Sequence, residues 1–263
     1  MSDSNILLDI QDDLAVVTIN DPGTLNSLTI SMTVELTKVI RSLGTRARAV
    51  VLTGSGRAFC AGANLGGGKS EPSSAKELAH DPGLSIETVF NPMVNALRNL
   101  PIPLVTAVNG AAAGVGCSMA MLGDLIVAAE SSYFLVAFSR VGLIPDGGTT
   151  FILPRLIGKA RATEMMLLAE KVPARQAYEW GLANRCVPDA DLMTTALDLA
   201  RRLAKGPASL GLTRRLIWDS IDSSWDEQVH NESMAAGVAG KTEDVAEGMR
   251  AFMEKRPPVF RGR

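Results

Sequence analysis

Leu104 to Cys117 reads LVTAVNGAAAGVGC. The first five residues are apolar or β-branched and none carries a charge. A run of that kind is buried on both faces, as strands of parallel sheets are. Asn109-Gly110 ends the strand. The small residues that follow let a helix, predicted over Gly114 to Leu122, pack closely on it. Strand, glycine-rich turn and helix in that order form a unit of an α/β layered fold.

The same grammar repeats outward. Ala49-Val50-Val51-Leu52-Thr53 and Leu125-Ile126-Val127-Ala128-Ala129 are further short buried strands. Met32, Leu36, Val39, Ile40 and Leu43 recur at helical spacing. Nearer the start, Ile6 to Ile10 and Leu14 to Ile19 flank Gln11-Asp12-Asp13, which predicts a hairpin, and Asp21-Pro22-Gly23 breaks the second strand. Residues 66–84, with Gly66-Gly67-Gly68 and Pro72-Ser73-Ser74, read as a surface loop. Asn91-Pro92 predicts a helix start, with Asn as cap and Pro at the first position, running through Met93, Val94, Leu97 and Leu100. Beyond about residue 155 the pattern is mostly helical, from Ala160 to Phe252. No linker separates two independent domains.

Composition limits the function. With 46% hydrophobic residues in 263, the chain can bury a substantial core. A formal net charge of −2 points to neither nucleic acid nor an anionic membrane. The first residues carry Asp3, Asp9, Asp12 and Asp13 and no long apolar stretch, so no signal peptide is expected, and no apolar run is long enough to span a bilayer. Three widely spaced cysteines, Cys60, Cys117 and Cys186, suit a reducing cytoplasm. His80 and His230 sit in no metal-ligand spacing, so no metal is expected.

Two glycine-rich turns follow two of the buried strands: GRAFCAGANL, Gly56 to Leu65, and VNGAAAGVGC, Val108 to Cys117. Taken singly, each is compatible with tight turning and close packing alone. A third segment, GLIPDGG, covers Gly142 to Gly148. In this order the three resemble the crotonase superfamily, the enoyl-CoA hydratase/isomerase family. The resemblance runs from about Ile6 to Arg261 and takes in Leu25-Asn26-Ser27-Leu28, Ala177 to Asn184 and Phe252 to Arg256.

The resemblance implies an α/β crotonase (ClpP-like) fold of stacked ββα units. Residues 1–200 would form the core with the site, and 201–263 a helical trimerisation region. It implies an acyl-CoA thioester as substrate, coenzyme A being part of that substrate and no further cofactor being needed. A homotrimer or homohexamer is expected, with Trp218, Trp225, Ile217, Ile221 and Val229 offering apolar contact area. By motif, the backbone N–H groups of Ala63 and Val115 would form an oxyanion hole for the thioester oxygen, the kind of preorganised donor pair that suits an enolate. Ala61, Gly62, Ala63 and Leu65 would lie along the adenine, and Thr24 and Leu25 along the pantetheine. Phe252 and Lys255 would reach a coenzyme A on a neighbouring subunit; otherwise Lys255 is a solvated surface charge.

The hydratases of the family use two glutamates. Their positions here hold Ser118 and Phe138, and neither side chain can replace a carboxylate. One acid remains, Asp146. A Pro-Asp in this segment resembles the isomerase branch of the family, including enzymes of aromatic-acid breakdown. One carboxylate suffices to move a double bond, and an apolar pocket with Phe138 would raise its pKa. The expectation is an enoyl-CoA isomerase with Asp146 as acid and base. The alternatives are a slow hydratase using Asp146, or an acyl-CoA-binding protein without turnover. Asp146 could also cap a helix beginning near Gly147. Cys60 and Cys117, beside the two turns, read as buried packing residues. The acyl group would be chosen by the loop 66–84, Phe138 and Phe134.

Overall fold

Alternate residues of one strand explain the layers. In β3 (Ala49–Gly54), Val50 and Leu52 face a large core, whereas Ala49 and Val51 face a smaller one. Both sides are dry, so the strand needs no polar face. The computed structural model describes residues 4–64 and 81–263.

The main sheet has the order β1-β2-β3-β5-β7-β10. β1 (Ile6–Gln11) and β2 (Leu14–Ile19) form the expected antiparallel hairpin. Asp12 and Asp13 turn it with φ of 49° and 64°, a left-handed pair whose twist suits the flanking strands. From β2 onward the strands are parallel: β3, β5 (Leu104–Val108), β7 (Leu125–Ala129) and β10 (Arg185–Val187). The large core lies between this sheet and helices α1 (Ile30–Ser42) and α2 (Asn91–Arg98), through Met32, Leu36 and Ile40 of the first and Met93, Val94 and Leu97 of the second.

A second, smaller sheet runs beside the first, in the order β4-β6-β8-β9. Each of its first three strands follows a main-sheet strand after a brief turn. β4 (Ala58–Cys60) follows β3, β6 (Ala111–Ala113) follows β5, and β8 (Tyr133–Leu135) follows β7. Helix α3 (Val115–Met121) completes the middle unit. This is the stacked ββα arrangement that the sequence implied.

The later helices are α4 (Thr149–Ile157), α5 (Lys159–Leu168), α6 (Ala174–Glu179), α7 (Leu192–Ala204), α8 (Ser209–Asp219), α9 (Trp225–Ala239) and α10 (Glu243–Met253). Ala196, Ala200 and Ala204 put small side chains one turn apart along α7, which lets it sit directly on Val51, Val105 and Val127 in the smaller core. α7 crosses position 201, between the expected core and tail.

One local expectation fails. The helix before β5 does not start at Asn91. It starts at Pro82–Ser85, where the Asp81 side chain accepts the Leu84 N–H, and passes through a π-helical stretch, Ile86–Phe90, into α2. Pro92 has no N–H to give to the preceding turn, and widened turns accommodate such a loss. The segment after residue 155 also supplies strands, β9 (Val172–Pro173) and β10, too short to stand out from the helical pattern. The predicted loop 66–84 lies outside the described residues except for 81–84. Among the described residues, no helix is long and apolar enough to cross a membrane.

Candidate active site

The three short parallel strands end side by side, and their ends build one cavity. β4 leads into Ala61, Gly62 and Ala63, β6 into Gly114 and Val115, and β8 into Ala137 and Phe138. Phe90, Val141, Leu143 and Asp146 complete a space of about 220 Å³. Larger clefts exist, about 530 Å³ beside Trp218 and about 320 Å³ beside Arg48. Their arginines are already engaged: Arg48 with the Gly206 and Phe260 carbonyls, Arg214 with Asp124 and three carbonyls. Chemistry rather than size selects the smaller cavity.

Two glycines permit the close approach. Gly114 has φ 53° and ψ −129°, a conformation that side-chain-bearing residues avoid. At Gly116 a Cβ would stand 2.2 Å from the Cys60 carbonyl oxygen, so only glycine lets α3 lie against the end of β4.

Ala63 lines the cavity, and its backbone N–H points away from Leu28 for a geometric reason. Leu28 donates to the Gly62 carbonyl (2.8 Å) and accepts from the Asn64 N–H (2.9 Å). In this parallel bridge the residue between those two, Ala63, turns its own N–H and C=O the other way. Val115 is the first residue of α3, where an N–H has no intrahelical acceptor. Among the described residues neither N–H has a hydrogen-bond partner.

Asp146 lies on the turn before α4. That helix starts at Thr149 with Gly148 as its N-cap and no side-chain cap bond, so the Asp146 carboxyl does not cap it. Gly147 and Gly148, with φ of 61° and 77°, carry the chain past the position where a cap would form. One carboxyl oxygen, Oδ1, is buried without a partner among the described residues. Burial alone pushes the carboxyl up to about 6. Asp146 is also the one titratable side chain among the described residues that line the cavity.

Ser118 and Phe138, at the positions where the family's hydratases are expected to carry glutamates, are both buried. Ser118 is fully buried, and its Oγ lies 2.7 Å from Thr149 Oγ1. Phe138 is buried and adds apolar wall to the cavity. Cys60 and Cys117 are fully buried, and burial pushes both thiols up to about 12, which leaves them unreactive packing groups.

The remaining candidates fall elsewhere. Leu25 is half-buried in a left-handed turn and its carbonyl accepts the Ala61 N–H (3.0 Å), which places 24–25 next to 61; Thr24 is exposed. Leu65 lies outside the described residues, as does His80. Phe252 is 86% exposed near the end of α10, and Lys255 is exposed just after it; neither lines the cavity of its own chain. Phe134, expected near the acyl group, is instead fully buried in the core. Phe90, Val141 and Leu143 line the cavity and were not anticipated. Phe90 belongs to the helical run whose start the sequence misplaced. Leu143 lies within the GLIPDGG segment and Val141 directly before it, and their closeness to Asp146 was the available signal.

Comparison with known proteins identifies the family. The family model described as enoyl-CoA hydratase/isomerase matches residues 9–263. A Rhodobacter capsulatus protein described as "Probable enoyl-CoA hydratase" is 41% identical, with 100% of both chains covered. The 1,2-epoxyphenylacetyl-CoA isomerase of Escherichia coli K12 is 40% identical, covering 98% of each. Among solved structures, an enoyl-CoA hydratase from Bacillus anthracis superposes with a TM-score of 0.89 at 29% identity, over 98% of this chain and 100% of that one.

Proposed function

The chain belongs to the enoyl-CoA hydratase/isomerase family, and from that premise we propose that it isomerises an unsaturated acyl-CoA with Asp146 as the proton carrier. The observation that carries this reading is the lone, unpaired carboxyl in an otherwise apolar cavity. The N–H groups of Ala63 and Val115 would hold the thioester oxygen, each donor being worth roughly 3 kcal/mol of barrier. Ionised Asp146 takes a proton from Cα of a 3-enoyl thioester. The electron pair spreads over the dienolate onto that oxygen. The acid form then returns the proton at Cγ, leaving the double bond between Cα and Cβ. No second acid–base group and no cofactor beyond the coenzyme A of the substrate is called for.

In this reading, residues 61–65 bind the adenine and 24–25 the pantetheine. Phe252 and Lys255 serve a neighbouring subunit of a homotrimer or homohexamer. Helix α9 supports such an assembly: it has no buried residue, and Trp225 at its start is 81% exposed.

Hydration is the second reading, favoured by the Rhodobacter capsulatus relative, which is as similar as the Escherichia coli isomerase. Asp146 would then have to activate water and supply the proton by itself. Incubation with a panel of 2- and 3-enoyl-CoA thioesters, followed by mass and NMR analysis, separates the readings. Isomerisation gives an unchanged mass with the double bond shifted. A product heavier by one water installs hydration instead, and binding without product leaves an acyl-CoA-binding protein.

A further inference from the structure

Among the described residues the Asp146 carboxyl has no hydrogen-bond partner at Oδ1, and its position follows the main chain beneath it. That main chain is a turn through two consecutive left-handed glycines, Gly147 and Gly148, which offer no side chains to anchor it. Among the described residues, the one side chain that bonds to the turn from another element is Ser118. Its Oγ reaches the Asp146 carbonyl oxygen (3.3 Å) and Thr149 Oγ1 (2.7 Å). The turn closes on itself through the Thr149 N–H to the Asp146 carbonyl (3.1 Å). Contact is tight: a Cβ on Gly147 would lie 2.8 Å from Ser118 Cβ.

Satisfaction of buried hydroxyls fixes the direction of the bonds. Ser118 is 0% and Thr149 1% exposed. Ser118 can donate to a carbonyl, of Asp146 or of Gly114 (3.4 Å). Thr149 has Ser118 Oγ as its one side-chain acceptor among the described residues, so Thr149 donates to Ser118 and Ser118 donates onward. Ser118 also stands three residues after Val115 on α3, and residues at that spacing share a helix face.

We propose that the Ser118–Thr149 hydroxyl pair is a positioning device that ties the turn carrying Asp146 to helix α3, and so sets the carboxyl relative to the Val115 N–H. The proposal rests on the isomerase reading above. Both are positioning residues, since neither lines the cavity. A short rigid link between base and oxyanion donor matters because misplacement by about 1 Å can cost on the order of 100-fold in rate.

The test compares Thr149→Val, Thr149→Ser and Ser118→Ala in the full chain, beside Asp146→Asn, on a 3-enoyl-CoA that the parent isomerises. Thr149→Val keeps the shape and removes the hydroxyl; Thr149→Ser keeps the hydroxyl and removes a methyl. Positioning predicts that Thr149→Val and Ser118→Ala lose about 100-fold in kcat with KM near the parent value, while Thr149→Ser retains most of its kcat. A Thr149→Val enzyme with parental kcat overturns the proposal. So does a Thr149→Ser enzyme as slow as Thr149→Val, which would mark packing rather than the hydroxyl. If Thr149→Val fails to fold, Ser118→Ala decides by the same kcat and KM criterion. Loss of turnover in Asp146→Asn with no loss in the hydroxyl variants defeats positioning alone. Parental turnover in Asp146→Asn defeats the functional reading and the positioning argument with it.

Discussion

Two half-buried aspartates, Asp124 and Asp146, meet the same problem and solve it differently. Burial pushes both carboxyls upward. At Asp124 the push is opposed by Arg214, whose Nε lies 2.6 Å from Oδ2, and by the Leu104 N–H at 2.7 Å. The same guanidinium donates to the carbonyls of Leu97, Arg98 and Leu100, at and just beyond the end of α2. Arg214 comes from α8, so this knot fastens the tail to the core. At Asp146 nothing opposes burial, and one oxygen has no partner among the described residues. A carboxyl surrounded by partners is a structural joint. One kept apart, with a pKa of about 6, is free to exchange a proton near neutral pH.

If that contrast is right, exchanging each key group damages a different property. Asp146→Asn should leave a folded protein that binds acyl-CoA and loses about 100- to 10,000-fold in isomerase rate, the usual cost of removing a general base. Exchange of substrate protons with deuterated water should fall in step. A mutant that isomerises at the parent rate would remove Asp146 from the chemistry.

Arg214→Ala should act on stability instead. It strands the Asp124 carboxylate and three carbonyls, and breaking a buried pair from one side costs about 3–5 kcal/mol. Urea or thermal unfolding reads this directly. The protein that remains folded should keep the parent pH–rate profile, because no part of the knot lines the cavity. A loss below about 1 kcal/mol, the range of exposed ion pairs, would show that the knot is not the joint described.

The contrast also marks what could be read from sequence. Local signals were legible: the hairpin around Asp12-Asp13, the doubly buried strand Ala49–Gly54, and the helix after Gly114. Asp146 stood out through its motif, and it lines the cavity. Its cap alternative could not be judged in advance, because that depended on the φ values of Gly147 and Gly148 rather than on residue type. The partner of Asp124 lies 90 residues away on a helix whose own pattern says nothing about it. The Ser118–Thr149 contact spans 31 residues and unites two segments that read as separate units. Phe90 was missed because Asn91-Pro92 looked like a start, while the helix had already begun behind Asp81. Long-range side-chain pairing has no period, and periodicity is what sequence reading detects best.

The smallest effect separates a pH-dependent change at Asp146 from the loss of an ion pair at Asp124. In the unfolded chain Asp146 titrates near 3.8, and in the folded one at about 6. Between these values the native state holds a proton that the unfolded state has released. Raising pH through that window therefore lowers stability, and the loss is complete above about 6. Moving a carboxyl that far corresponds to ~3 kcal/mol; solvent reaching the half-buried group reduces this to on the order of 1 kcal/mol. An asparagine side chain cannot ionise, so Asp146→Asn should gain stability over the parent as pH rises from 4 to 7, on top of any constant offset from the amide. Asp124→Asn should be destabilised at pH 7, because Arg214 would keep its buried charge and lose its counter-charge. Denaturant titrations of both mutants and the parent across this range make the comparison. A difference between Asp146→Asn and the parent that stays flat from pH 4 to 7 would mean that the carboxyl is not held out of water, and its separation from Asp124 in kind would collapse.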